Sequence, residues 1–102
     1  MAKNREDLQL VLEGLLGSRN VYFQPPESLK LKYPCIVYEI GNVRDDYANN
    51  SEYHRHKLYT VTVIDEDPDT ELTDKMLDLS YCRFNRRFVV DNLYHDVFDL
   101  YY

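Results

Sequence analysis

The stretch from Tyr33 to Ile64 limits the possible folds more than any other part of the chain. Its first part, residues 33–40, is short, apolar and rich in β-branched and aromatic side chains. Residues 53–64 have a polar outer half and an apolar inner half, and the polar residues 41–52 between them contain Gly and Asn, which favour turns. We expect two neighbouring strands in the middle of a sheet, joined by a polar arm that stands off the sheet and contacts a partner.

A helix is predicted ahead of this stretch, with Asn4 as its cap and Gly17 as its stop. Its aliphatic side chains recur at i, i+3, i+4, i+7 and i+8, which places them on one apolar face: Leu8, Val11, Leu12, Leu15 and Leu16. Residues 21–23 then read as a brief strand, which Pro25 and Pro26 must end or push to a sheet edge.

After the two central strands, residues 65–70 form a predicted turn, with Asp69 or Thr70 capping a short helix that ends near Ser80. Further strands are expected from Cys82 to Val90 and from residue 93 to 101, joined by a turn at residues 91 and 92. The element order is therefore α-β-β-β-α-β-β. It predicts one α+β domain over residues 1–102, with a small, mostly antiparallel sheet, two helices on one side and a protruding hairpin arm.

Charge and composition exclude several functional classes. The net charge is −6, which argues against tight general binding to nucleic acid but allows DNA to slide past without adhering. The start of the sequence lacks the apolar core of a signal peptide, and no run approaches the roughly 20 apolar residues of a membrane span. Cys35 and Cys82 lie in apolar or strand-like stretches, so we expect buried thiols in a reducing cytosol.

Metal-binding patterns in the sequence are incomplete. His54 and His56 share a face at i, i+2, but no third and fourth ligand is evident, and we expect them to be solvated strand residues. The acidic run 65–71 alternates like the start of a calcium loop. Thr70 stands where that loop needs glycine and Met76 where it needs glutamate, so a turn is the better interpretation.

No enzyme signature is present, and we expect neither catalysis nor a cofactor. A nucleophilic cysteine needs a partner base, and nothing marks one beside Cys35 or Cys82. The three glycines are isolated, so there is no phosphate-binding loop.

The concentrated positive cluster is Arg83, Arg86 and Arg87. One interpretation is a solvated strand edge whose charges oppose aggregation. The other is an ion-pairing surface that meets the acidic segment 65–78 of another copy or partner in a head-to-tail contact. The candidate residues for such a subunit interface are Arg83, Arg86, Arg87, Asp67, Asp69 and Asp74.

Several segments together resemble a family of small tail-completion proteins of long-tailed bacteriophages and prophages, called tail terminators or tail-to-head joining proteins. The resemblance spans nearly the whole chain and rests on the general residue pattern of these segments rather than on a catalytic motif: GSRNVYFQPP (17–26), KYPCIVY (32–38), YTVTVID (59–65), DPD (67–69) and DNLYHDVF (91–98).

The resemblance implies a structural role. Such proteins form a hexameric ring at the head-proximal end of the tail tube, stop its growth and offer a surface to the head connector or stopper protein, with DNA passing through the lumen. They act in the host cytoplasm during assembly and then in the virion tail. An alternative is a monomeric or dimeric phage-encoded binding module, such as a host-factor inhibitor.

Carried onto this chain, the family's protruding loop corresponds to residues 42–55, which would contact the partner. Val43, Tyr47 and Tyr53 are the expected anchors amid charge. The candidate contact residues are Asn42, Val43, Arg44, Asp45, Asp46, Tyr47, Asn49, Asn50, Tyr53, His54 and Arg55.

Overall fold

In the part of the chain that the structure describes, two helices and five strands follow one another in the predicted order α-β-β-β-α-β-β. The computed structural model describes residues 5–47, 53–79 and 82–102, without the side chains of residues 42–57. Its elements are α1 (Arg5–Leu16), β1 (Val21–Phe23), β2 (Cys35–Tyr47), β3 (Tyr53–Asp65), α2 (Glu71–Leu77), β4 (Cys82–Val90) and β5 (Leu93–Tyr101). The α+β class predicted from the sequence is confirmed.

The five strands form one sheet in the order β1-β2-β3-β5-β4. Only the pairing of β1 with β2 is parallel, and the other three pairings are antiparallel. β1 lies at one edge and ends before Pro25 and Pro26, since proline cannot donate to a ladder. β4 lies at the other edge and spans nine residues.

One face of the sheet carries the core because apolar residues alternate along the central strands. The register pairs Ile36 with Val63 and Tyr38 with Val61, which brings these side chains to the same face. Both helices pack there. The buried core consists of Leu8, Leu12, Val21, Ile36, Tyr38, Tyr59, Val61, Val63, Leu72, Met76, Phe98 and Leu100.

The helix α1 buries a narrower stripe than its spacing predicts. Leu8 and Leu12 are fully buried, and Leu15 and Leu16 pack partly against the core, but Val11 is 38% exposed. At 100° per residue Val11 points about 60° away from Leu8, so it lies beside the contact line with the sheet. Its predicted core position is wrong. The predicted cap Asn4 lies outside the described residues.

Single residues with suitable backbone or side-chain properties mark where the helices begin and end and where the last hairpin turns. Gly17 follows α1 with φ of 80°, the left-handed conformation that favours glycine after a helix. The Thr70 hydroxyl accepts a hydrogen bond from the backbone N–H of Leu72 at 3.3 Å and so caps α2, which ends at Leu77 rather than near Ser80. Asp91 and Asn92 have φ of 53° and 62°, as a two-residue type I′ hairpin turn requires.

Two buried tyrosines of the core differ in how their hydroxyls are satisfied. The Tyr38 hydroxyl donates to Gln9 Oε1 and accepts from Arg5 at 3.4 Å, so it ties α1 to β2. The Tyr59 hydroxyl is buried without a hydrogen-bond partner among the described residues. Both rings are fully buried, with centroids 6.0 Å apart.

The difference between the Tyr38 and Tyr59 hydroxyls allows their hydrogen bonding to be tested with two matched Tyr→Phe variants. We expect Tyr38→Phe to lower the free energy of unfolding by about 1 kcal/mol, because it removes a satisfied hydroxyl and leaves its partners unpaired. Tyr59→Phe should leave stability unchanged or raise it slightly, because it removes an unsatisfied buried polar group. Urea unfolding followed by circular dichroism measures both. An equal loss in the two variants would contradict the assigned hydrogen bonds.

Candidate functional site

The arm is the outer part of the hairpin formed by β2 and β3. The parallel partner β1 reaches only to Tyr38, and β5 pairs with β3 only as far as Leu58. Beyond that point β2 and β3 continue as a two-stranded ribbon of five residue pairs, from Val43 opposite Lys57 to Tyr47 opposite Tyr53. This ribbon extends about 17 Å from the sheet. It accounts for the elongated molecule, which measures 49 × 26 × 22 Å.

The ribbon corrects the prediction that residues 41–52 form a polar excursion between strands. The first strand does not stop at Ile40. After an irregularity in register between Ile40 and Asn42, it continues to Tyr47. The register places Asp45 opposite Arg55, and such oppositely charged cross-strand pairs stabilise an antiparallel ladder.

Of the predicted contact residues, those from Asn42 to Tyr47 lie in β2, and Tyr53, His54 and Arg55 lie in β3. The register brings them together in facing pairs: Arg44 with His56, Asp45 with Arg55, Asp46 with His54, and Tyr47 with Tyr53. The predicted contacts Asn49 and Asn50 lie outside the described residues. The arm therefore gathers charged residues and tyrosines on a ribbon whose two outer edges have no neighbouring strand among the residues described.

The arginine cluster lies on the edge strand β4, where every residue from Arg83 to Val90 is exposed. The Arg86 guanidinium lies 5.4 Å from the centre of the Phe88 ring. Arg87 has a different role, because its guanidinium binds the carboxylate of Asp96 on β5 with Nε at 2.5 Å and Nη2 at 3.0 Å. The cluster thus divides into two exposed arginines and one held by an ion pair.

Asp96 is a structural residue that the sequence reasoning missed. It is 1% exposed and shares a strand face with Phe98 and Leu100, which belong to the core. Besides Arg87, the Thr73 hydroxyl of α2 donates to its carboxylate at 2.5 Å. A signal was present in the alternation of β5, since a carboxylate at a core-facing position needs a buried partner.

The same network holds the acidic turn before α2. Arg87 Nη2 donates to the carbonyl of Pro68 at 2.9 Å. Within the turn, Asp67 Oδ1 accepts from the backbone N–H of Asp69 at 2.9 Å. The predicted acidic interface residues Asp67 and Asp69 are exposed and flank Pro68, whose carbonyl binds Arg87 of the same chain, whereas the exposed Asp74 lies on α2.

Charge balance explains how Asp96 stays ionised. Burial raises the pKa of this carboxyl, but the hydrogen bonds from Arg87 and Thr73 and the positive charge of Arg87 outweigh burial and bring the pKa below its ordinary value. The pKa of Arg87 is raised, first by its hydrogen bond to Asp96. The ion pair therefore joins β4 to β5, and the Thr73 hydrogen bond joins α2 to the same carboxylate.

The side chains of His95, Cys35 and Cys82 have structural environments. His95 stacks on Phe88 with ring centres 4.6 Å apart. Burial raises the pKa of Cys35 to about 12 and that of Cys82 to about 11, with Asp65 and Asp99 adding to the respective shifts, so both thiols stay protonated at neutral pH. The described part of the chain contains no group of three or more residues arranged to hold a metal ion.

Neither helix of the described structure is long and apolar enough to cross a membrane. No protein-family model matches the chain, and no curated protein sequence is similar enough to count as a relative. The likeness to tail-completion proteins thus stays a prediction from the sequence.

Removing the buried ion pair should destabilise the fold. We expect Arg87→Gln to lower the free energy of unfolding by about 2–3 kcal/mol, because it leaves the buried Asp96 carboxylate without its counter-ion. The figure allows for solvent screening, since the Arg87 side chain is 37% exposed. Arg86→Gln is the matched control on the same strand and should change stability by less than about 0.5 kcal/mol. Equal effects in chemical denaturation would refute the structural role of Arg87.

Lowering the pH should remove the contribution of the Asp96 carboxylate to the stability of the fold. Because its folded pKa is lowered, its stabilisation is complete above the ordinary carboxyl pKa of about 3.9 and is lost as the pH falls through the folded pKa. The stability difference between the wild type and Asp96→Asn should therefore shrink as the pH falls below about 3.9. Urea midpoints across this range measure it, with Glu27→Gln, an exposed position, as the control for net charge. A constant difference would contradict the lowered pKa.

Proposed function

We propose that this protein is a structural component of a phage or prophage tail, which caps the head-proximal end of the tail tube as a ring. In that position it stops tube growth and presents a surface to the head connector. The observation that carries the proposal is the arm, a two-stranded ribbon of five residue pairs that leaves the sheet and has no neighbouring strand in the described structure. The resemblance over nearly the whole sequence supports it.

The environments of the reactive side chains favour a structural role over catalysis. The carboxylate of Asp96 is committed to Arg87 and Thr73. The thiols of Cys35 and Cys82 have raised pKa values because they are buried. The exposed polar residues of β4 and of the acidic turn, together with the polar sequence of the arm, are suited to contact between proteins.

A cap of this kind works by mismatch. Tube rings add through a head-to-tail contact that does not close on itself, so growth continues until a subunit matches the ring below but offers a different surface above. In this protein the arm would provide the surface that matches the ring below. A two-stranded ribbon is only marginally stable alone, and docking against the tube would fix it at some cost in affinity. That cost would limit ring formation away from a tube end.

The charge of the protein suits the passage of DNA. A net charge of −6 opposes adhesion of phosphate to the ring lumen, so DNA can leave the head without a strong electrostatic trap. The partners implied are further copies of this chain, expected to number six in the ring, the tail tube protein and the head connector or stopper protein.

End-specific binding tests the proposal. Purified tail tubes of the phage or prophage that encodes this chain are mixed with gold-labelled protein and imaged by negative-stain electron microscopy. We expect label at one end of each tube, and tubes that no longer elongate when free tube protein is added. Label along the whole tube, or none, would overturn the proposal and favour a separate protein-binding module.

The contribution of the arm can be tested by replacing residues 43–57 with Asn-Gly, a two-residue turn that closes the hairpin after the pair of Asn42 and Leu58. The removed segment lies beyond the pairings of β2 with β1 and of β3 with β5, and the core residues that the structure describes are retained, so we expect cooperative thermal unfolding to persist while binding to tube ends is lost. The control variant carries Glu27→Ala and Lys30→Ala on the exposed connector. A folded, armless variant that still caps tubes would show that the arm is not the contact.

A further inference from the structure

β4 presents the long open edge of the sheet. In the described structure it pairs with β5 alone, and its outer side therefore carries unpaired backbone N–H and C=O groups. Large apolar side chains are exposed along it: Phe84, Phe88, Val89 and Val90, of which Val89 is 55% exposed. An exposed edge of this length and composition is a template for an added strand.

The arm contains two further open edges. On the outer side of β2, β1 and the hydrogen bonds of Gln24 to Tyr38 and Ile40 cover the strand only as far as Ile40. Residues 41–47 have no strand on that side in the described structure. On the outer side of β3, residues 53–57 lie beyond the last pairing with β5.

Charge distinguishes among these edges as partners for β4. β4 contributes the exposed cations Arg83 and Arg86, so pairing with a second β4 would bring like charges together. Residues 53–57, with the sequence YHRHK, are basic as well. Residues 41–47 carry Asp45 and Asp46 against one cation, Arg44, and this net negative charge makes the outer half of β2 the acidic one of the open edges described.

We infer that β4 of one subunit pairs with residues 41–47 of a second copy of this chain, so that the sheet continues from subunit to subunit. The inference rests on the proposed ring and specifies its subunit contact. Because two different surfaces meet, the contact is heterologous and repeats around a ring rather than closing as a symmetric dimer. Arg83 and Arg86 face the acidic strand, and Arg87 stays in its own subunit's ion pair.

Complementary charge variants test the contact. One variant carries Arg83→Glu and Arg86→Glu, and the other carries Asp45→Lys and Asp46→Lys. In a heterologous contact each variant alone opposes like charges, whereas in a 1:1 mixture the acidic β4 of the first meets the basic arm of the second. The first variant's acidic arm likewise meets the second variant's basic β4. The matched control for β4 carries Lys30→Glu and Lys32→Glu, which makes the same change of net charge at exposed connector positions.

Sedimentation velocity at low salt, with protein up to about 1 mM, measures association. We expect each charge variant to associate about tenfold or more weakly than the wild type, and the mixture to return to within about threefold of it. The connector control should match the wild type. A wild type that stays monomeric throughout this range, or a mixture no stronger than its components, overturns the inference.

Hydrogen exchange on the unmodified protein gives a second measurement that does not depend on the variants. Raising the protein concentration should slow amide exchange by about tenfold or more in peptides covering residues 41–47 and 83–90 together. Protection of one segment without the other contradicts the pairing. Tube capping by a wild type that fails these tests would leave the proposed function standing with another contact. Strand pairing without end binding would overturn the function and keep the contact.

Discussion

The register between β2 and β3 is the constraint on which the rest of the molecule depends. The pairing of Tyr38 with Val61 puts the aromatic and branched side chains under both helices, and a slip by one residue would turn them to the opposite face. The same two strands then leave the sheet as the arm. The core and the arm therefore belong to one ladder, with an irregularity in register between Ile40 and Asn42 where the arm leaves the sheet.

The ion pair between Arg87 and Asp96 changes how the basic edge is understood. A run of three arginines in the sequence suggests one positive patch, but burial of Asp96 beside the core commits one of the three to holding α2, β4 and β5 together. The surface charge of β4 is thus smaller and better localised than the sequence suggests. Specific recognition along this edge must then come from backbone pairing as much as from charge.

Local residue chemistry made most of the fold predictable. The periodicity of α1, the Thr70 cap and the turn at Asp91 and Asn92 each depend on neighbours within a few residues. The failures were positions whose state depends on distant partners. Polar residues such as Asp45 have low strand propensity, and their ladder exists because β3 lies opposite. An aspartate on a strand also suggests exposure, and only the fold shows that Asp96 meets Arg87 and Thr73. The residues of the arm were identified, but their strand pairing was not.

The continuity of the arm with the central strands has a mechanical consequence. A force applied to the arm along its length is transmitted directly to β2 and β3, which cross the centre of the sheet. The pairings of β2 with β1 and of β3 with β5 are then loaded in shear, so the backbone hydrogen bonds of these ladders share the load and must fail together. The hairpin of β4 and β5 would instead open one pair at a time if it were peeled from its free edge. The molecule is thus built to resist tension along its longest dimension.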